Sequence, residues 1–96
     1  MYYVYLLQSK TRIYIGITGD LNKRVCQHNS GQNVSTKAHT PWTLIFYEAY
    51  IDQEDASRRE KYLKTTQGRQ AIRRMLKAHF YKQSLKHFDY QGSTTR

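Results

Sequence analysis

Apolar positions along the chain fall into three β-type runs separated by helical patterns. Tyr2 to Gln8 is rich in Tyr, Val and Leu, and the polar run Ser9 to Arg12 closes it before a second β-prone run, Ile13 to Ile17. A connection of about four residues makes these two a hairpin. Thr18-Gly19-Asp20 then supplies turn and cap chemistry for a short helix in which Leu21 and Val25 share a face, ended by Ser30-Gly31. The stretch from Gln32 to Thr40 has neither periodicity nor apolar content, so it reads as a mobile loop able to fold over a substrate. From Trp42 to Ile51 both faces are apolar, the pattern of a central strand covered on each side. Asp52 is the expected N-cap of a helix running to about Thr66, with Glu54 and Asp55 in its first turn, where the helix dipole favours negative charge. A break at Gln67-Gly68 leads to a third helix, with Ile72, Met75, Leu76, His79 and Phe80 on one apolar stripe and Arg69, Arg73 and Lys77 along its flank. From Lys82 the periodicity decays, and residues 91–96 form a polar tail expected to be disordered.

These elements give an α/β chain of the α+β type, a small three-stranded, mainly antiparallel sheet flanked by helices. With 96 residues and 39% hydrophobic content there is room for one compact domain, placed at residues 1–80, followed by a basic extension over residues 81–96. No apolar run approaches the roughly 20 residues of a membrane span, and the N-terminus lacks a signal-peptide pattern. A soluble, cytoplasmic protein with no membrane partner, acting as a monomer, is the expectation. Cys26 is the single cysteine, which precludes an internal disulfide, and it reads as packing on its helix.

Charge changes the picture. The formal net charge is +9, and all of the excess lies late in the chain: up to Ser57 five basic residues balance five acidic ones, whereas from Arg58 onward eleven basic residues face only Glu60 and Asp89. A cationic face of this kind attracts polyanions through counterion release, which makes nucleic acid the leading partner and DNA the first choice over RNA. Arg69, Arg73 and Lys77, together with Lys10, Arg12, Lys23 and Lys37, are the expected backbone contacts. Their spacing suits phosphates more than groove recognition, so sequence specificity should be low. Substrate choice would then come from DNA shape, single-strand character or a protein partner.

The first two strands both carry a phenol, in Tyr3-Val4-Tyr5 and Tyr14-Ile15-Gly16, and the helix after them carries Arg24 and, one turn on, His28. Glu60 lies in Arg58-Arg59-Glu60-Lys61. This ordered set resembles a stand-alone GIY-YIG domain of the small bacterial type grouped with the N-terminal nuclease module of the excision-repair subunit UvrC. The likeness spans residues 2–77. Tyr3 stands where the family's first motif has glycine, and the downstream asparagine of several members has no clear counterpart here. The resemblance implies an endonuclease that hydrolyses DNA phosphodiester bonds, with Tyr5, Tyr14, Arg24, His28 and Glu60 as catalytic residues and Glu60 as ligand of one Mg²⁺ or Mn²⁺ ion.

Hydrolysis of a phosphodiester needs an activated water, stabilisation of charge on the nonbridging oxygens and help for the leaving oxygen. A single carboxylate suffices for one hard cation whose other positions are filled by water and phosphate. An unperturbed phenol near pKa 10 is ionised to only about one part in a thousand at pH 7, so a tyrosine base needs cationic neighbours, with Arg24, Lys10, Arg12 and Lys23 as candidates. On the family's pattern Tyr14 orients or deprotonates the water and Tyr5 supports it, although the residues alone allow the reverse order. Arg24 offers a bidentate fork to the charged oxygens, and His28 a proton relay or a phosphate contact. Each residue has a plainer role open to it: the tyrosines as packing, and Glu60 as the i, i+4 partner of Lys64, worth about 0.3 kcal/mol. His39 reads as a weak phosphate contact and His79 as core. The same scaffold without hydrolysis, a DNA- or RNA-binding module, is the alternative function.

Overall fold

The computed structural model describes the backbone of residues 1–92 and the side chains of residues 1–85. Strands β1 (Tyr2–Gln8) and β2 (Ile13–Thr18) form the hairpin, followed by α1 (Leu21–Asn29), a 3₁₀ turn (Lys37–His39), β3 (Thr43–Tyr50), α2 (Gln53–Leu63), α3 (Thr66–Met75) and α4 (Lys77–Gly92). The sheet is antiparallel throughout, in the order β2-β1-β3.

The central strand is therefore β1, and the expectation that the Trp42–Ile51 run lies at the centre is overturned. Val4, Tyr5, Leu6 and Leu7 are all buried, a continuous apolar run covered from both sides. The edge strand β3 looked central because its alternation breaks in the middle. Leu6 pairs with Phe46 but Leu7 with Leu44, so Ile45 is a surplus residue in a β-bulge. Before the bulge Leu44 packs with Tyr5 and Leu7; beyond it Phe46 and Tyr50 turn to the opposite core. Tyr47 and Ile51 are left exposed.

Two cores lie on the two faces of the sheet. On one, Val4, Leu6 and Ile15 meet Ala56 and Leu63 of α2 and Ile72 of α3. On the other, Tyr5, Leu7 and Trp42 meet Tyr14 together with Leu21 and Val25 of α1. Asp20 caps α1 by accepting from the Lys23 N–H, and Asp52 caps α2 by accepting from that of Glu54, as their side-chain chemistry requires. A second anchor holds α2 to the edge strand: Arg59 donates to both carboxylate oxygens of Glu48 at 2.9 and 3.0 Å, and the Tyr50 hydroxyl donates to the same carboxylate at 2.7 Å. Burial pushes the Glu48 carboxyl up, but the hydrogen bonds from Arg59 and Tyr50 outweigh it and hold the group below its ordinary range.

The helical half departs from the sequence reading in its punctuation. The break falls at Lys64-Thr65, where Thr65 caps α3 by accepting from the Gly68 N–H at 3.0 Å. Gly68 is thus not a helix terminator but a point of close approach: a Cβ there would lie 1.9 Å from the Tyr62 carbonyl oxygen and 2.5 Å from the Leu63 Cα. The expected third helix is two, divided at Leu76. Its stripe is also less uniform than the pattern implied. Met75 is exposed, and His79 is not core: its Nε2 sits 2.8 Å from the Gln8 side-chain oxygen, tying α4 to the end of β1. Although the apolar periodicity fades after Lys82, α4 continues to Gly92; the part of the expected tail at residues 93–96 lies outside the described residues. Cys26 is exposed, so its reading as a packing residue is corrected too.

Because backbone atoms, not a movable side chain, oppose a methyl group at position 68, Gly68→Ala should destabilise the domain by about 1–3 kcal/mol or more. In a chain of this size that lowers the melting midpoint by about 5–20 °C, measurable by circular dichroism; an unchanged midpoint would refute the tight α2–α3 crossing.

Candidate active site

Register places the first two phenols. Tyr5 lies opposite Gly16 across the β1–β2 ladder, and its ring runs over that glycine so closely that a Cβ on residue 16 would stand 2.5 Å from the Tyr5 hydroxyl oxygen. The glycine of the second motif is therefore the floor beneath the phenol of the first. Tyr14 occupies the same sheet face, half-buried, with its ring 6.2 Å from that of Tyr5 and 4.7 Å from the His28 imidazole.

Helix α1 brings His28 into the same cluster, but as an interior group. It is fully buried, with Nε2 2.9 Å from the Tyr5 hydroxyl and Nδ1 2.8 Å from the Thr36 hydroxyl. Burial lowers its pKa below the ordinary value and the Arg24 charge lowers it further, so the ring is neutral near pH 7. Burial raises the Tyr5 phenol far above its normal range, with the neighbouring Tyr14 and Glu60 adding to the rise and Arg24 opposing it. The direction of the bonds follows from Thr36, whose hydroxyl hydrogen goes to the Asn33 carbonyl oxygen and which therefore accepts from Nδ1 of the neutral ring. Tyr5 donates to Nε2; Nδ1 carries the ring proton and donates to Thr36, whose hydroxyl in turn donates to the Asn33 carbonyl oxygen at 3.4 Å. With both ring nitrogens occupied and no exposed surface, His28 does not touch phosphate, and that part of its expected role is withdrawn.

The loop over residues 32–40, expected to be a mobile cover, is instead a strap fastened to the site from outside. Thr36 is buried; its carbonyl oxygen accepts from the Trp42 indole N–H at 2.9 Å. Trp42 in turn exchanges two backbone hydrogen bonds with the Asn29 side chain, at 2.6 and 2.9 Å. Thr36, Asn29, Trp42 and Gly16 are the site-forming residues that sequence reasoning passed over as loop, helix, strand and motif residues. The indole within the apolar run was the available signal, since a buried indole N–H requires an acceptor.

The two charged members lie close to this cluster. Arg24 is half-buried on α1, and its charge acts on both Tyr5 and His28. Glu60, on α2, acts on Tyr5 as well; its side chain is only 16% exposed and accepts from Lys64 Nζ at 2.8 Å. The i, i+4 pair foreseen as the plain role of Glu60 is thus present. Of the cations proposed to act on the phenols, only Arg24 acts on Tyr5, while Lys10, Arg12 and Lys23 are exposed; Lys37, expected as a backbone contact, is exposed too. Lys10 shares a shallow cavity of about 280 Å³ with His39 at the hairpin end. Arg69, Arg73 and Lys77 stand elsewhere, around a separate cavity next to Ile13. Tyr3, at the motif position of glycine, packs edge-on against the exposed Tyr47 with ring centroids 5.9 Å apart.

Among the described residues no group of three or more His, Cys, Asp or Glu converges as a metal cage. A largely buried lone carboxylate whose charge reaches Tyr5 fits a hard cation that keeps most of its water and shares phosphate oxygens, and does not fit a closed structural zinc centre.

Because the folded state lowers the His28 pKa, the unfolded chain binds the extra proton more readily, so stability is full above about pH 6.5 and falls as the pH drops below it. Urea midpoints at pH 7.5 and pH 5.5 should therefore differ in the wild type and converge in His28→Gln; an equal pH response in both would refute the buried neutral imidazole. Gly16→Ala should displace the Tyr5 ring and cost about 1–3 kcal/mol.

Comparison with known proteins agrees with this arrangement. The family model described as the GIY-YIG catalytic domain matches residues 1–75. A UPF0213 protein of Staphylococcus haemolyticus is 31% identical over 74 residues, covering 75% of this chain and 90% of its own. UPF0213 proteins of Clostridium perfringens and Halobacterium salinarum are each 36% identical over 66 residues, covering 67% of this chain and 71% and 86% of theirs. No solved structure matches the chain. A match that takes in both tyrosine strands, α1, the strap, β3, α2 and α3 shows that the chain belongs to the GIY-YIG catalytic-domain family, a family of nucleases.

Proposed function

We propose that the protein is a divalent-metal-dependent endonuclease that hydrolyses DNA phosphodiester bonds with low sequence specificity. The observation that carries this reading is the hydrogen-bonded chain from Tyr5 through His28 to Thr36. It removes the difficulty of a phenol as base. Tyr5 need not exist as phenolate: as it accepts a proton relayed by its neighbour Tyr14 from an attacking water, its own proton passes to His28 Nε2, so the final acceptor is an imidazole and not an isolated phenol. Tyr14, the more accessible of the two phenols, stands where it can orient that water. Arg24 supplies donors to the nonbridging oxygens as charge grows on them, a task for which its planar fork is better suited than an ammonium. Mg²⁺ or Mn²⁺ held by Glu60 would supply charge neutralisation at the phosphate and the leaving oxygen.

A binding module without hydrolysis draws support from one feature, the Lys64 ammonium that already neutralises Glu60. On the enzymatic reading Glu60 would hold the cation in place of that ammonium, whose release would be a modest cost for a pair whose lysine is half exposed.

Supercoiled plasmid with Mg²⁺ separates the two readings. Nicking should appear with the metal and vanish with chelator. Glu60→Gln and Arg24→Lys should each slow it by about 100-fold or more while Glu60→Gln still binds DNA, and Tyr5→Phe should fall by a similar factor. Unaltered nicking in Glu60→Gln would remove its metal role; DNA binding with no metal-dependent cleavage in the wild type would establish the binding module.

A further inference from the structure

The cavity that gathers Arg69, Arg73 and Lys77 has a composition the hydrolytic site does not use. It encloses about 420 Å³ between the start of β2, α3 and the first turn of α4, and is lined by Ile13, Ile72 and Phe80 besides the three cations. Its volume lies within the range of about 300–1,000 Å³ typical of small-molecule sites. Ile13 and Tyr14 are consecutive on β2, and consecutive strand residues point to opposite faces. Ile13 accordingly packs with the α2–α3 core and Tyr14 with the α1 core, which puts the cavity across the sheet from the phenols.

Two chemistries meet there. The floor is apolar and includes one aromatic ring that is only partly covered, Phe80. The rim carries three exposed cations, and among the described residues none of them is paired: the ion pairs are Arg58 with Asp55, Arg59 with Glu48 and Lys64 with Glu60. No acidic residue lies in the first turn of α3 or α4. Three like charges held around an apolar hollow repel one another, and an anion relieves that repulsion. An inorganic anion alone would leave the floor wetted. A flat aromatic group bearing a phosphate satisfies both parts, with the ring against Phe80 and Ile72 and the phosphate between the arginine forks and Lys77.

We propose that this cavity is a nucleotide-binding site, distinct from the hydrolytic cluster, whose ligand is a nucleobase carrying a phosphate, either as a free nucleotide or as one unit of a strand. The site neither requires nor implies cleavage, so its test is independent of the nuclease reading. The full chain, isotopically labelled and without divalent ions, is titrated with deoxyadenosine 5′-monophosphate, with deoxyadenosine and with inorganic phosphate, and followed by amide chemical shifts. The nucleotide should move the resonances of Ile13, Ile72 and Phe80 and bind at least about tenfold more tightly than either fragment. The Arg69→Ala, Arg73→Ala, Lys77→Ala triple variant, whose changed side chains are all exposed, should weaken it by about tenfold or more. A 5′-phosphorylated oligonucleotide that displaces the nucleotide assigns the site to a strand; failure to displace assigns it to the free ligand, and either supports the site. Equal affinity for phosphate and nucleotide, shifts centred on Tyr14 and Arg24, or wild-type affinity in the triple variant would each overturn the proposal.

Discussion

One hydrogen bond organises the catalytic face, that between the Tyr5 hydroxyl and the His28 imidazole in a space that excludes water. Neither group is stable there alone. A buried hydroxyl or imidazole without a partner costs several kcal/mol relative to its hydrated state, and here each partner answers the other. The consequences run outward from this pair. The ring proton on Nδ1 leaves Nε2 to accept from Tyr5 and goes to Thr36, a bond that holds the strap over residues 32–40 down onto α1. Trp42 then closes the same region from the strand side by donating to the Thr36 carbonyl. A polar network built into a core is favourable only when all its members are satisfied, and among the described residues no buried side-chain polar atom lacks a partner.

The charged members reach the site by a different route. Arg24 rides on α1, whose orientation is set by Leu21 and Val25 against Tyr5 and Trp42. Glu60 depends on α2, and α2 is held by its buried Ala56 and Leu63 and by the paired hydrogen bonds from Arg59 to Glu48. Adjacent residues of one helix thus divide the labour: Arg59 fastens the helix to the sheet edge, while Glu60 pairs with Lys64 and acts on Tyr5 through its charge. The basic run around Glu60 in the sequence is accordingly not one surface. Arg59 is structural, Lys64 neutralises the carboxylate, and Arg69 and Arg73 belong to a hollow elsewhere.

Much of this was legible in the residues. The hairpin and the Asp20 and Asp52 caps follow from local rules, since turn and cap chemistry act within a few residues. The misreadings share a cause, in that long-range packing decided them. The apolar run of β3 suggested a central strand, but a surplus residue at Ile45 sends its two halves to different cores, and no local pattern distinguishes that from double-sided burial. Gly68 read as a helix break because glycine commonly is one; only the crossing of α2 and α3 reveals it as clearance for a carbonyl. The sequence from Gln32 to Thr40 has the composition of a free loop, yet its threonine is sealed because a histidine eight residues earlier needs an acceptor. His28 itself was assigned to the right cluster and to the wrong depth.

The bulge in β3 has a consequence for how this chain can vary. Since Ile45 is surplus to the ladder, losing that one position would leave Leu44 opposite Leu7 and Phe46 opposite Leu6, whereas losing a position between Phe46 and Glu48 with the bulge in place would turn Glu48 and Tyr50 toward α1. The carboxylate that grips Arg59 would then lie on the wrong side of the sheet, and the helix bearing Glu60 would come adrift without any change to a catalytic residue. Descendants of this protein can shed the surplus residue of that edge, but beyond it they are not free to alter its count.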